Sequence, residues 1–268
     1  MAGEYLNKMF GLDGKTAVVT GGAGVLGSGM AAALARAGAD VILWDIREDA
    51  LKEAAAAIDE AAGRTDAAAW RATDLMNEDD LRAAVAEAGD FQILLNGCGG
   101  NRGKSPLVET DMANYEFVLK LNLIAGCFLP TKIVAAKWIE SGVKGAVINI
   151  ASMSSYVPLS GVWAYDAAKA AVMNQTMAAA AELAPHGIRV NAIAPGFFLG
   201  EQNRRLLTNE DGTLTERGRQ VIDHTPYGRF GEPGELMGTI LFLASNEAAG
   251  FVTGVTVPVD GGYLVHNI

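Results

Sequence analysis

Short runs of β-branched and aliphatic residues alternate along this chain with longer Ala-rich stretches whose apolar positions recur at helical spacing. The runs fall at 16–20, 41–44, 67–72, 93–95, 146–150, 189–193 and 255–257. Between them the pattern predicts helices over 27–37, 49–62, 77–88, 111–141, 165–184 and 233–243. Runs that are apolar throughout suit strands covered on both faces, and strands separated by helices need crossover connections. The expectation is an α/β fold: a doubly wound, seven-stranded parallel sheet with helices on both faces and right-handed crossovers. No internal repeat, low-complexity linker or boundary signal divides residues 1–268, so one domain is expected. One stretch breaks the rhythm. Residues 196–226 are polar and lack strand periodicity, which suits either a lid over a binding site or a surface excursion.

With 268 residues, 50% hydrophobic and 19% charged, the chain can bury a full core. Its net charge of -10 argues against nucleic acid and anionic membrane surfaces as partners. Cys98 and Cys127 are the two cysteines, outside any C-x-x-C arrangement, and the first residues lack the basic-then-apolar pattern of an export signal. A cytoplasmic location is therefore expected. No apolar run is expected to reach membrane-spanning length uninterrupted, and no Cys/His cluster has metal-ligand spacing.

The chemistry concentrates in four places. Tyr165 and Lys169 are four residues apart on a predicted helix, so both project from one face, where an ammonium would favour ionisation of the phenol. Ser152 follows the strand run at 146–150, where its hydroxyl would join that of Tyr165 in binding a developing alkoxide. Asn122 lies upstream. After the first strand, Gly21, Gly22, Gly24, Val25, Leu26 and Gly27 form a glycine-rich turn into a helix, the context in which backbone amides bind a pyrophosphate. Asp45 and Ile46 end the second strand, where a carboxylate accepts bonds from ribose hydroxyls. This favours NAD over NADP, with nearby Arg47 a possible phosphate partner in opposition. Asp74 and Leu75 follow the third strand, Asp74 serving either the adenine edge or a helix N-cap. Asn96 and Gly97 follow the fourth, as a close approach to cofactor or an ordinary turn.

As a set, the glycine loop, Asp74, Asn96, Asn122, Ser152, Tyr165, Lys169, the Pro195-Gly196 turn and the closing Val259-Asp260-Gly261-Gly262 resemble the short-chain dehydrogenase/reductase superfamily over 14–262. The resemblance implies a Rossmann fold and a nicotinamide cofactor touching Pro195, Gly196 and Phe198. It implies Tyr165 as general acid/base, Ser152 positioning the carbonyl, and Lys169 binding the nicotinamide ribose while lowering the tyrosine pKa. Asn122 would hold a water linking Lys169 to solvent, and a homodimer or homotetramer would pair the two long helices. Two positions depart from the family pattern: Val25 stands where a glycine is usual, and Gly200 where a threonine is common.

Residues 191–204, the run 211–218 and the Gly99-Gly100-Asn101 loop are similar to the D-mannonate oxidoreductase, or fructuronate reductase, branch. That likeness implies a hexuronate substrate, whose carboxylate and hydroxyls need cations and polar partners. Candidates are Asn101, Arg102 and Lys104 on one loop and Gln202, Asn203, Arg204 and Arg205 on another, with His224 as a further polar partner and Met153 and Trp163 as walls. Alternatives are another sugar, polyol or hydroxy-acid dehydrogenase, a 3-oxoacyl reductase, or a dinucleotide sensor without turnover.

Overall fold

The computed structural model describes residues 2–200, 204 and 206–266. Its seven strands are β1 (Thr16–Thr20), β2 (Asp40–Asp45), β3 (Ala68–Ala72), β4 (Ile93–Asn96), β5 (Ala146–Ile150), β6 (Arg189–Pro195) and β7 (Thr256–Val259). All pair in parallel in the order β3-β2-β1-β4-β5-β6-β7. The order reverses direction between β1 and β4, and in such sheets ligands bind at that switch point, beyond the carboxyl ends of the strands.

Strand alternation sorts the core into two layers. Ala17 and Val19 of β1, with Val41 and Leu43 of β2, join a cluster with Met30 and Leu34 of α2 (Val25–Arg36) and Leu51 and Ile58 of α3 (Glu48–Ala62). Val18, Trp44 and Leu94 point the other way, toward Leu81 of α4 (Glu78–Glu87), Val134 and Trp138 of α5 (Met112–Ser141), and Leu183 of α6 (Trp163–Leu183). Both faces are therefore covered by helices.

Two short helices add to the expected elements. Helix α1 (Ala2–Phe10) precedes the sheet and is tied back by the Ser245 hydroxyl, which donates to the Met9 carbonyl at 2.6 Å. Within 196–226 the described residues form an antiparallel bridge between Thr208 and Leu214 and then α7 (Glu216–His224). In the carboxyl-terminal part α8 (Pro233–Ala244) falls where a helix was expected, and α9 (Asn246–Ala249) is added before β7. Strand β7 runs to Val259 through Pro258, which lacks a donor N–H and is accepted at the sheet edge.

Helix α5 is apolar enough to cross a bilayer by length and composition, but Glu116, Lys120, Lys132 and Lys137 interrupt it, as expected, and 56% of its most apolar stretch is buried inside the fold. Its middle, Lys120–Phe128, is π-helical rather than α-helical. There Gly126 lies against the carbonyl of Cys98, and a Cβ at that position would collide with it. The widened turn and the small residue together let α5 approach the end of β4.

Candidate active site

The glycine turn owes its shape to contacts that leave no room for side chains. Gly21 has φ +65°, a region that disfavours other residues, and a Cβ there would stand 2.9 Å from the Cα of Cys98. Gly27 abuts the Gly21 carbonyl, and a Cβ on Gly97 would lie 2.7 Å from the Thr20 carbonyl. The Thr20 hydroxyl accepts from Cys98 N at 3.2 Å, locking the ends of β1 and β4 together. Helix α2 then starts at N-cap Gly24 with no side chain capping it, and Val25, Leu26 and Gly27 line a cavity of about 1380 Å³. First-turn amides without a capping partner are the donors an anionic pyrophosphate requires. The residues present therefore fit a dinucleotide.

At the β2/β3 end of this cavity Asp45 takes a bidentate pair from Arg47, with Nε at 3.1 Å and the second guanidinium nitrogen at 3.2 Å. The Arg47 side chain is thus paired with Asp45, half-exposed, and lines the same end of the cavity. Ile46 is exposed over the same end, and Leu75 lines it. Asp74 also lines the cavity and accepts from Met76 N at 2.9 Å, closing a local turn. It does not cap α4. Asn77 does, accepting from the amides of Asp79 and Asp80.

Some expected cofactor residues sit behind the cavity wall. Asn96 is fully buried and donates to Thr131 at 3.0 Å and to Asn149 at 2.8 Å, so its side chain braces the sheet interior instead of facing the cavity. Gly22 packs on Leu43, and Gly196 packs on the backbone of Asp260. Pro195 ends β6, and Phe198, three residues on, reaches the lining.

At the other end, Ser152 caps a short turn over Met153–Ser155 by accepting from Ser154 N at 3.1 Å, and it hydrogen-bonds the Tyr165 hydroxyl. Ser155 joins the two halves: its hydroxyl donates to the Lys169 carbonyl at 2.6 Å and accepts from Ser152 N at 3.3 Å. Lys169 Nζ donates to the Ile150 carbonyl at 2.6 Å and lies 5.6 Å from the centre of the Tyr165 ring. Burial pulls the lysine down to about 8. Burial also pushes the Tyr165 phenol above its ordinary value, against the opposing effect of the Ser152 hydrogen bond. The phenol is therefore raised and not lowered, because desolvation, with Asp166 adding to it, outweighs the Ser152 hydrogen bond.

Asn122, fully buried in the π-helical turn, clamps the Gly100 backbone in both directions. Its Oδ1 accepts from Gly100 N at 2.9 Å and its Nδ2 donates to Gly100 O at 2.7 Å. A side chain at position 99 would place its Cβ 2.6 Å from that Oδ1.

Among the substrate candidates, Asn101 and Lys104 line the cavity. Arg102 instead lies over the ring of Phe117, 5.3 Å from its centre. Met153 is buried behind the wall, and Arg204 is exposed away from the lining. Gln202, Asn203 and Arg205 lie outside the described residues. His224 packs on Tyr263 and His266, while Trp163 donates to the Ser105 carbonyl beside a separate shallow depression. The lining also includes Phe117, Leu121, Leu206 and Arg217, to which no role was assigned from sequence. The two departures from the family pattern meet: a Cβ on Gly200 would lie 3.8 Å from Val25 Cγ1, so the smaller residue faces the larger.

A family model described as enoyl-(acyl carrier protein) reductase, of the short-chain dehydrogenase type, matches residues 21–264. The chain belongs to the short-chain dehydrogenase/reductase family and is an oxidoreductase of CH–OH groups that uses a nicotinamide dinucleotide. It is 40% identical to an uncharacterized oxidoreductase, UxuB, of Bacillus subtilis (strain 168), over 96% of this chain and 97% of that one. It is 39% identical to the 2-dehydro-3-deoxy-D-gluconate 5-dehydrogenase of Escherichia coli (strain K12), over 95% and 97%. Two solved structures superpose with TM-scores of 0.87, each at 33% identity. One, a provisionally named D-mannonate oxidoreductase from Haemophilus influenza with bound NAD, is matched over 98% of this chain and 99% of that one. The other, a gluconate 5-dehydrogenase from Burkholderia cenocepacia J2315 with NADP and tartrate, is matched over 98% and 100%.

Proposed function

We propose that this protein is an NAD-dependent sugar-acid dehydrogenase, interconverting D-fructuronate and D-mannonate. One observation carries the sugar-acid reading. Among the described residues, the charged groups lining the Tyr165 end of the cavity are Lys104, Lys169 and Arg217, all cationic, while Asp45 and Asp74, with Arg47 paired to Asp45, lie at the opposite end. In a chain of net charge -10, that local excess suits an anionic substrate. The NAD reading rests on Asp45, whose carboxylate would accept ribose hydroxyls and repel a 2′-phosphate, and on Arg47 being engaged with it.

The bound nicotinamide supplies the hydride to the keto carbon or accepts it from the alcohol. Ser152 and Tyr165 hold the substrate oxygen between their hydroxyls. In the reductive direction the Tyr165 O–H gives its proton to that oxygen as the alcohol forms, and the reverse step returns it. Lys169 places a buried ammonium beside the phenolate so formed, which favours it. Asn122 holds the 99–100 loop against α5, fixing the wall where substrate enters. Residues 196–226 act as a lid, and the protein forms a homodimer or homotetramer in the cytoplasm. Partly exposed Ile124 and Phe128 on α5 and Met177 on α6 suit burial between subunits, a point that sizing tests.

A second reading, oxidation at C5 of gluconate-type acids, draws on the same cation excess and on the relatives named for that reaction. The deciding assay follows NADH absorbance with D-fructuronate beside 5-keto-D-gluconate, neutral keto-sugars and NADPH. Turnover confined to fructuronate and NADH supports the first reading, turnover of 5-keto-gluconate the second. Activity on neutral sugars alone overturns both.

A further inference from the structure

Of the three cations at the Tyr165 end, one is already occupied and another is exposed. Lys169 is pinned to the Ile150 carbonyl. Lys104 lays its stem over Gly161, where a Cβ would meet its Cγ at 2.7 Å and its Cε at 3.1 Å, beside the separate depression walled by Trp163. Arg217 differs from both. It lines the main cavity, is partly buried, and makes no hydrogen bond or ion pair among the described residues.

Its backbone, by contrast, is firmly held. Thr215 caps α7 by accepting from Gly218 N at 3.0 Å, and its hydroxyl donates to the Leu206 carbonyl at 2.7 Å. Thr215 N donates to the Leu207 carbonyl at 3.0 Å, and Gly218 packs so closely on that carbonyl that a Cβ would collide with it. The first turn of α7 is thus clamped to the 206–207 segment, beside the lining residue Leu206. Arg217 acts electrostatically on Tyr263, whose ring packs 5.5 Å from that of Phe197, the neighbour of Phe198 just beyond β6. This places Arg217 on the β5/β6 side of the switch point, with Tyr165 and away from Asp45.

We infer that Arg217 is the anchor for the substrate carboxylate, its guanidinium taking both oxygens while the hydroxyl to be oxidised lies against Ser152 and Tyr165. The inference rests on the sugar-acid reading above. A planar, permanently charged fork on a rigid turn matches a carboxylate in two parallel hydrogen bonds, and its release from other partners spares any competing bond. It makes discrimination between an aldonate and its alditol a property of one side chain. Arg219, two residues on, points elsewhere and pairs with Glu216 at 3.2 Å, which provides a control on the same helix.

The test compares kcat/KM for D-mannonate against D-mannitol, and D-gluconate against D-glucitol, with NAD in wild type, Arg217→Gln, Arg217→Lys and Arg219→Gln. In R217Q the acid-to-alditol ratio should fall about 50-fold, mostly through KM, with NADH affinity by fluorescence within about twofold of wild type. R217K should fall between the two, and R219Q should match wild type. Equal losses on acid and alditol, or a ratio unmoved in R217Q, overturn the anchor while the sugar-acid reading stands. A wild-type enzyme that oxidises alditols and no acid overturns both. Should R217Q fail to fold, Arg217→Met keeps the packing of the stem and is read in the same way.

Discussion

Replacing Lys169 by methionine should stabilise the cofactor-free protein at neutral pH while abolishing its turnover. The lysine is buried at 4% exposure with its ammonium on a single carbonyl, and its pKa falls from 10.5 to about 8. The unfolded chain therefore holds the proton more tightly than the folded one. Below pH 8 both states are protonated and the fold carries the full cost, about 3 kcal/mol at roughly 1.4 kcal/mol per pH unit. Between pH 8 and 10.5 the folded lysine is neutral while the unfolded one is still charged, so stability rises with pH until the cost is gone. Cys98, Cys127 and Tyr165, raised by burial to about 11, about 12 and above the ordinary phenol value, lower stability as pH rises past 9 in both proteins alike, so they cancel in the comparison. Methionine removes the buried charge but leaves the Ile150 carbonyl without its donor, a cost of about 1–3 kcal/mol. That cost is independent of pH. Urea unfolding followed by fluorescence of the four tryptophans, at equal protein concentration, would compare K169M with wild type at pH 7 and pH 10. The stability difference should move in favour of wild type by about 2 kcal/mol between those two pH values. A difference that stays constant with pH would refute the reasoning, since a purely structural hydrogen bond has no such slope.

Three further outcomes follow from particular contacts. Ser155→Ala removes the bridge between Ser152 N and the Lys169 carbonyl; it should lower kcat about tenfold with little change in cofactor affinity, and Ser155→Thr should recover part of that loss, as steady-state kinetics beside NADH titration would read. Asp45→Asn removes the carboxylate that lines the β2/β3 end of the cavity and frees Arg47, so the kcat/KM ratio of NADP to NAD should rise at least about tenfold, and adding Arg47→Gln should reverse most of the gain. Asn77→Ala leaves two first-turn amides of α4 uncapped and should cost about 1 kcal/mol in urea unfolding with kinetics unchanged, whereas Asp74→Ala should weaken NADH binding.

Much of the fold was legible because local patterns coincide with the physics that selects them. The inner strand runs are rich in β-branched and aliphatic residues, as burial on both faces of β1, β4, β5 and β6 demands, while the outer β3, with Trp70 and Arg71, is half-exposed. The seven expected strands lie within a few residues of those observed. The Tyr165–Lys169 pair and the glycine turn were equally legible, since helical spacing and the need for close backbone approach are both written in consecutive residues. The short helices at 2–10 and 246–249 escaped because their ordering comes from packing on one another and from the Ser245 bond to Met9, not from a long periodic signal.

What the chain determined by itself is the class of chemistry: a parallel α/β sheet, a dinucleotide turn, and a tyrosine, serine and lysine in the order that family uses. Tertiary structure decided the rest, because cavity lining depends on which side chains converge from distant segments. It turned Asn96 into the sheet and assigned the α4 cap to Asn77 instead of Asp74. It bound Arg47 to Asp45, set Val25 against Gly200, and raised Tyr165 by burial where proximity to a lysine alone argued for lowering it. It also carried Arg217 from a polar stretch of chain to the Tyr165 end of the cavity, since the clamp at Thr215 and Gly218 exists only once residues 206–207 have folded beneath α7.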